Sequence, residues 1–126
     1  MNESSVVVYD GNIIDSQIGT PVSVDFDFDK IWEIRKLIDF STSKLDFYHV
    51  HPSGFTQYSM QDEKVMKGYA IALGEPIFFH IAIFEPHFEI NSWLVWQKEY
   101  IPIKCDHLIE VIELLKNMSY PKGELT

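Results

Sequence analysis

The chain has 126 residues, 46% of them hydrophobic, enough for a single domain over 1–126 to bury a continuous core without disulfides or association. Its 19 acidic residues against 10 basic ones give a formal charge of −9, a field that repels phosphate backbones, so nucleic acid is a poor partner and the charge chiefly favours solubility. The single Cys105 offers no disulfide, no charged apolar leader precedes the first strand-like run, and the apolar stretch 76–84 falls well short of the roughly 20 residues of a spanning helix; a cytoplasmic protein without a membrane role is expected.

Residues 5–9 are β-branched and aromatic, Asp10-Gly11 is a two-residue turn signal, and 13–18 returns, which predicts an opening hairpin. Val22, Val24, Phe26 and Phe28 alternate with Ser23, Asp25 and Asp27, the period of a strand with one wet face. A helix over 30–40 is expected next, with Asp29 as N-cap, Ile31, Ile34, Leu37 and Ile38 as its apolar stripe, and Ser41-Thr42-Ser43 ending it. The run 45–51 alternates again, putting Leu45, Phe47, His49 and His51 on one face and Asp46, Tyr48 and Val50 on the other. Pro52-Ser53-Gly54 breaks that strand, a loop runs to Ser59, and a helix over 60–73 stops at Gly74. Strands over 77–84, 88–96 and 99–104 follow, then a closing helix striped by Leu108, Val111, Ile112 and Leu115. Mixed strands with interspersed helices predict an α/β layered fold.

Two histidines on one strand face, about 7 Å apart by the rise per residue, can converge on one ion, and Asp62, early in the next helix, can fold a carboxylate back as the third ligand. Three protein ligands with a fourth position for water suit a catalytic zinc, which lowers the pKa of that water to about 7. Imidazoles argue against calcium and magnesium, while ferrous iron also accepts two histidines and a carboxylate.

The pattern His49-x-His51-x7-Ser59-x-x-Asp62, with Pro52 after the second histidine, resembles the signature of the JAMM (MPN-plus) zinc metalloproteases. Four residues at fixed offsets arise by chance on the order of once in 10⁵ start positions, so the motif is specific. Gly19-Thr20-Pro21-Val22-Ser23-Val24 and Tyr48-His49-Val50-His51-Pro52-Ser53-Gly54-Phe55 are similar to the segment entering the motif in eukaryotic members, and the likeness covers residues 3–84. The resemblance implies a JAMM/MPN-like mixed sheet flanked by helices, here lacking the usual N-terminal helix. It implies zinc held by His49, His51 and Asp62, and hydrolysis of a peptide or isopeptide bond in a protein or peptide substrate, with a ubiquitin-like modifier as the model. It also implies that Glu3, just before the first strand, is the general base, although Ser4, Ser5 and Val6 replace the small or glycine residues that usually follow it. Glu33 is the other upstream candidate, expected in solvent off its helix stripe. Ser59 resembles the serine that stabilises the oxyanion, while Ser-x-x-Asp before a helix is also a capping pattern.

His80 reads as a satisfied core histidine, His87 and His107 flank turns without ligand-like spacing, and Cys105 reads as an ordinary thiol with no histidine at a telling distance. Trp93, Trp96 and Phe88 read as core or interface aromatics. Two other functions stay open: His49-x-His51-Pro52-Ser53-Gly54 is also similar to the RadC-like branch of the same superfamily, and some relatives that have lost ligands serve as non-catalytic scaffold subunits.

Overall fold

The computed structural model describes residues 1–37, 44–52 and 55–121. Among these residues, six strands and three helices follow one another in chain order: β1 Ser4–Tyr9, β2 Asn12–Ile18, α1 Phe28–Leu37, β3 Leu45–Val50, α2 Met60–Leu73, β4 Ile77–Ile83, β5 Glu89–Trp96, β6 Glu99–Ile103 and α3 Ile109–Ser119. The strands form one mixed sheet in the order β2-β1-β3-β4-β5-β6. β3 and β4 run parallel, joined across the sheet by α2, and the other pairs are antiparallel. None of the described helices is long and apolar enough to cross a membrane.

The opening hairpin closes as its sequence requires. Asp10 and Gly11 both have positive φ, 46° and 83°, the pair of left-handed residues that matches a two-residue turn to the twist of its strands. α2 also begins and ends on chemistry visible in the chain. Ser59 and Asp62 exchange backbone and side-chain hydrogen bonds as a capping box, and Gly74 closes the other end.

Alternation along each central strand supplies two cores. On one face, Val7, Leu45, Phe47, Phe79, Ile81 and Trp93 pack under Ile31 of α1 and Met66, Ala70 and Leu73 of α2. On the other, Val6, Val8, Tyr48 and Val50 pack under Val111 and Leu115 of α3. Each fully buried large side chain contributes about 1.5–3 kcal/mol by leaving water. α2 and α3 are thereby fixed on opposite sides of β3. Trp93 is a core residue, Trp96 packs against that core, and Phe88 is 46% exposed.

Three expectations are corrected. The segment 22–27 is not a strand. Val24, Phe26 and Phe28 are half-buried while Ser23, Asp25 and Asp27 are exposed, but Val22 is 83% exposed, so the alternation holds only from residue 23 on, and it comes from lying across a packed surface and not from a ladder. Thr20 holds the segment's entry through hydrogen bonds from Val22 N and Ser23 N to its Oγ1, and Ser5 Oγ donates to Asp25 O. The N-cap of α1 is Asp27, whose Oδ1 accepts from Lys30 N at 3.1 Å; the helix starts at Phe28, which places Asp29 inside its first turn. Leu37, assigned to the apolar stripe, is 86% exposed; Ile38 and the expected stop 41–43, like Ser53 and Gly54, lie outside the described residues.

Candidate metal centre

The β1–β3 register pairs Ser5 with His49, so Glu3, on the same face two residues earlier, continues β1 toward the motif. Its backbone is anchored on both sides, Glu3 N donating to Thr20 O at 2.8 Å and Gly19 N donating to Glu3 O at 2.9 Å. Its side chain is buried, and His49 Nε2 donates to Glu3 Oε1 at 2.6 Å. His51, just past β3, keeps the ladder going by donating its N–H to Ala82 O at 3.0 Å. Both imidazoles point to the α1/α2 side, their ring centroids 4.5 Å apart and nearly perpendicular.

α2 delivers the carboxylate. As the third residue of the helix, Asp62 accepts from Ser59 N through Oδ2 at 2.9 Å and donates its own N–H to Ser59 Oγ at 3.0 Å. That locks the side chain over the strand end, with Oδ1 3.3 Å from His49 Nδ1 and Oδ2 3.1 Å from His51 Nε2. Tyr100 of β6 donates to the carbonyls of Asp62 and Glu63 and pins the same helical turn from the far side.

The protonation of this group is the informative part. His51 Nδ1 donates to Phe55 O at 3.2 Å; a carbonyl only accepts, so a neutral His51 presents a lone pair on Nε2. His49 Nε2 donates to Glu3, so a neutral His49 presents a lone pair on Nδ1, and that nitrogen is buried without a hydrogen-bond partner. The 3.3 Å approach of Asp62 Oδ1 is an ionic contact outside hydrogen-bond geometry. Two imidazole lone pairs thus face a carboxylate in a buried cluster, which is stable only with a positive charge among them. Burial opposes charging His49, but Asp62 and Glu3 outweigh it and raise its pKa. Burial likewise opposes the Asp62 carboxylate, yet His49, His51 and the Ser59 N–H hold its pKa well below the ordinary range. Either a proton on His49 or a divalent ion bound by His49, His51 and Asp62 would supply that charge, and the donor set suits the ion. Glu3, His49 and His51 also offer ligand atoms that all lie within 4.8 Å of one another, which makes Glu3 a candidate ligand in its own right.

A cleft of about 470 Å³ opens on these residues, walled by Val22, Val24 and Asp25 on one side and by Phe55, Ser59 and Gln61 on the other. Ser59 Oγ uses an acceptor site for the helix cap, which leaves its hydroxyl proton for the cleft; both expected roles are compatible. Glu33 lies away from the centre, exposed and paired with Lys36. Among the cleft walls, sequence reading missed Val22, Val24 and Asp25, because their segment was assigned to a strand.

The remaining histidines lie away from this centre. His80 is fully buried and satisfied by Asp46 and Ser92, as expected, and His87 is exposed beside Glu89. Cys105, however, does have histidines at a telling distance: its Sγ lies 3.9 Å from His80 Nδ1 and 3.9 Å from His107 Nε2. The sheet register brings His80 there from 25 residues away, while Cys105-x-His107 was the local signal. Compared with known proteins, the chain matches no family model and no curated sequence.

Proposed function

We propose that the chain is a JAMM-type, zinc-dependent metallopeptidase that cleaves a peptide or isopeptide bond, with the tail of a ubiquitin-like modifier as the substrate class. The observation that carries this reading is the buried set of His49, His51 and Asp62, two imidazole lone pairs facing one carboxylate, at the end of an open cleft. The order of hairpin, helix, motif strand, helix and buried strand supports the family assignment over residues 3–84.

His49, His51 and Asp62 would hold the zinc ion, which would supply Lewis acidity and a lowered pKa for water. Glu3 takes the proton from the attacking water as its oxygen bonds to the carbonyl carbon, and returns it to the amine nitrogen as the C–N bond breaks. The His49 N–H bond to Glu3 Oε1 aims that carboxylate. Ser59 donates its hydroxyl proton to the carbonyl oxygen as negative charge develops. The cleft walls formed by 22–25 and Phe55 exclude water from an extended chain bound between them.

The test is Glu3→Gln, assayed on isopeptide-linked and C-terminally extended ubiquitin-like substrates, with Glu33→Gln as control. Zinc content should be retained while kcat falls by about 10²–10⁴-fold with KM little changed. Equal activity of wild type and Glu3→Gln removes Glu3 from the role, and loss of zinc in Glu3→Gln makes it a ligand. A fully zinc-loaded wild type that cleaves none of these substrates replaces the enzyme reading with a metal-binding scaffold.

A further inference from the structure

β3 carries a second polar cluster on the face opposite the candidate metal centre. Tyr48 aligns with His80 of β4, and His80 with Ser92 of β5, so the three side chains form a row across the α3 side of the sheet. The connection from β6 to α3 lays Cys105 and His107 over that row. Cys105 Sγ, His80 Nδ1 and His107 Nε2 all lie within 4.8 Å of one another.

We propose that His80, Cys105 and His107 form a second metal site, for zinc or another thiophilic divalent ion, which fastens the β6–α3 connection to the sheet. The spacing suits it. Zinc–sulfur and zinc–nitrogen bonds of about 2.3 and 2.0–2.1 Å in a tetrahedron put the two atoms about 3.6 Å apart, a few tenths less than the observed 3.9 Å.

The remaining ring nitrogens are committed elsewhere, as those of metal-binding histidines are. His80 Nε2 donates to Asp46 Oδ1 at 2.6 Å, and His107 Nδ1 lies 2.8 Å from the Tyr48 hydroxyl. With Nδ1–H of His107 donating to Tyr48, the nitrogens facing Cys105 are both lone pairs. His80 is held in place by Tyr48, stacked at 4.3 Å, and by the edge of His107 at 4.9 Å. Two histidines locked by outer partners, converging on one sulfur, are more than a thiol in passing contact.

Room exists for a fourth ligand. A cleft of about 710 Å³ lined by Asn91, Ser92, Pro102, Lys104, Cys105 and His107 opens on the cluster. Ser92 Oγ, 2.7 Å from His80 Nδ1, donates to that nitrogen in the metal-free chain, and rotation of the hydroxyl frees it for the ion. Binding requires the thiolate, so one proton leaves Cys105 for solvent and affinity rises with pH. The sulfur ligand excludes calcium and magnesium as occupants. The same atoms also stand in the order Cys105–His80–Asp46 of an activated nucleophile, and the experiment separates the two.

Cys105 is the only cysteine of the chain, so a sulfur-to-cobalt charge-transfer absorption reports this site alone. Titrating metal-free full-length protein with Co²⁺ should produce that band. It should persist in His49→Ala/His51→Ala, disappear in Cys105→Ser, and weaken in His107→Ala. Zinc should displace cobalt and slow alkylation of Cys105 by iodoacetamide by about tenfold or more. Absence of the band at saturating cobalt, or alkylation at one rate with and without zinc, overturns the site. Rapid alkylation that ignores zinc but collapses in Asp46→Asn overturns it in favour of a nucleophilic thiol. None of these readouts depends on the His49–His51 centre or on peptidase activity.

Discussion

Asp62 joins two tasks in one carboxylate: it completes the helix cap with Ser59 and it faces both histidines. The tasks separate by substitution. Ser59→Ala removes the side-chain acceptor and should cost about 1 kcal/mol of stability in a denaturant titration, and it should also weaken zinc binding, because the carboxylate loses the turn that orients it. Asp62→Asn keeps an oxygen for the cap but discards the charge, so zinc should be lost, and any fall in stability comes from the broken pairing with the histidines and not from the cap. Unchanged zinc affinity in both variants would remove Asp62 from the centre. At this scale the motif was legible because His49, His51, Ser59 and Asp62 are close in sequence and sit on one strand end and one helix start, both of which local pattern specifies. Glu3 was legible only through resemblance, since nothing near it in sequence announces that β1 pairs with β3. The Cys105 cluster was misread for the same reason, as its His80 partner arrives through the β4–β5 register.

At the scale of elements, β-strands and helices with clear turn and cap chemistry were read to within a residue or so, as α2 illustrates. The segment 22–27 was not, because alternating burial is produced equally by a strand and by an extended crossing over a packed face. Gly19 is what allows that crossing. A Cβ at this position would meet Ser23 O at 2.0 Å and Val24 Cα at 2.7 Å, neither of which yields without moving the backbone. Gly19→Ala should therefore displace a wall of the cleft, raising KM more than it lowers kcat and reducing Tm; an unaltered KM would show that 22–25 does not touch substrate. Tyr100 ties β6 to α2, and its phenol pKa is raised by burial first and then by the nearby Asp62 and Glu63 charges. The folded chain binds this proton more tightly than the unfolded one, so the stabilisation is complete below about pH 10 and declines as pH climbs from there toward the folded value. Tyr100→Phe should be less stable at neutral pH and should lose stability less steeply above pH 10, as followed by Tm against pH.

For the whole molecule, β3 is the organising strand: residues 47, 49 and 51 serve the α1/α2 side and residues 46 and 48 serve the α3 side. Period-two alternation thus lets these five residues contribute to two sides that share a backbone and no side chain. On one of those faces, His49 and His51 are proposed to bind a metal ion. That binding is tested most directly by measuring zinc in protein purified without added metal, in a Cys105→Ser background that silences the opposite face. About one zinc per chain is expected in Cys105→Ser, and almost none once His49→Ala and His51→Ala are added with the fold intact by circular dichroism. Stoichiometric zinc surviving the two histidine substitutions, or no zinc binding in Cys105→Ser even when the metal is supplied, would contradict it.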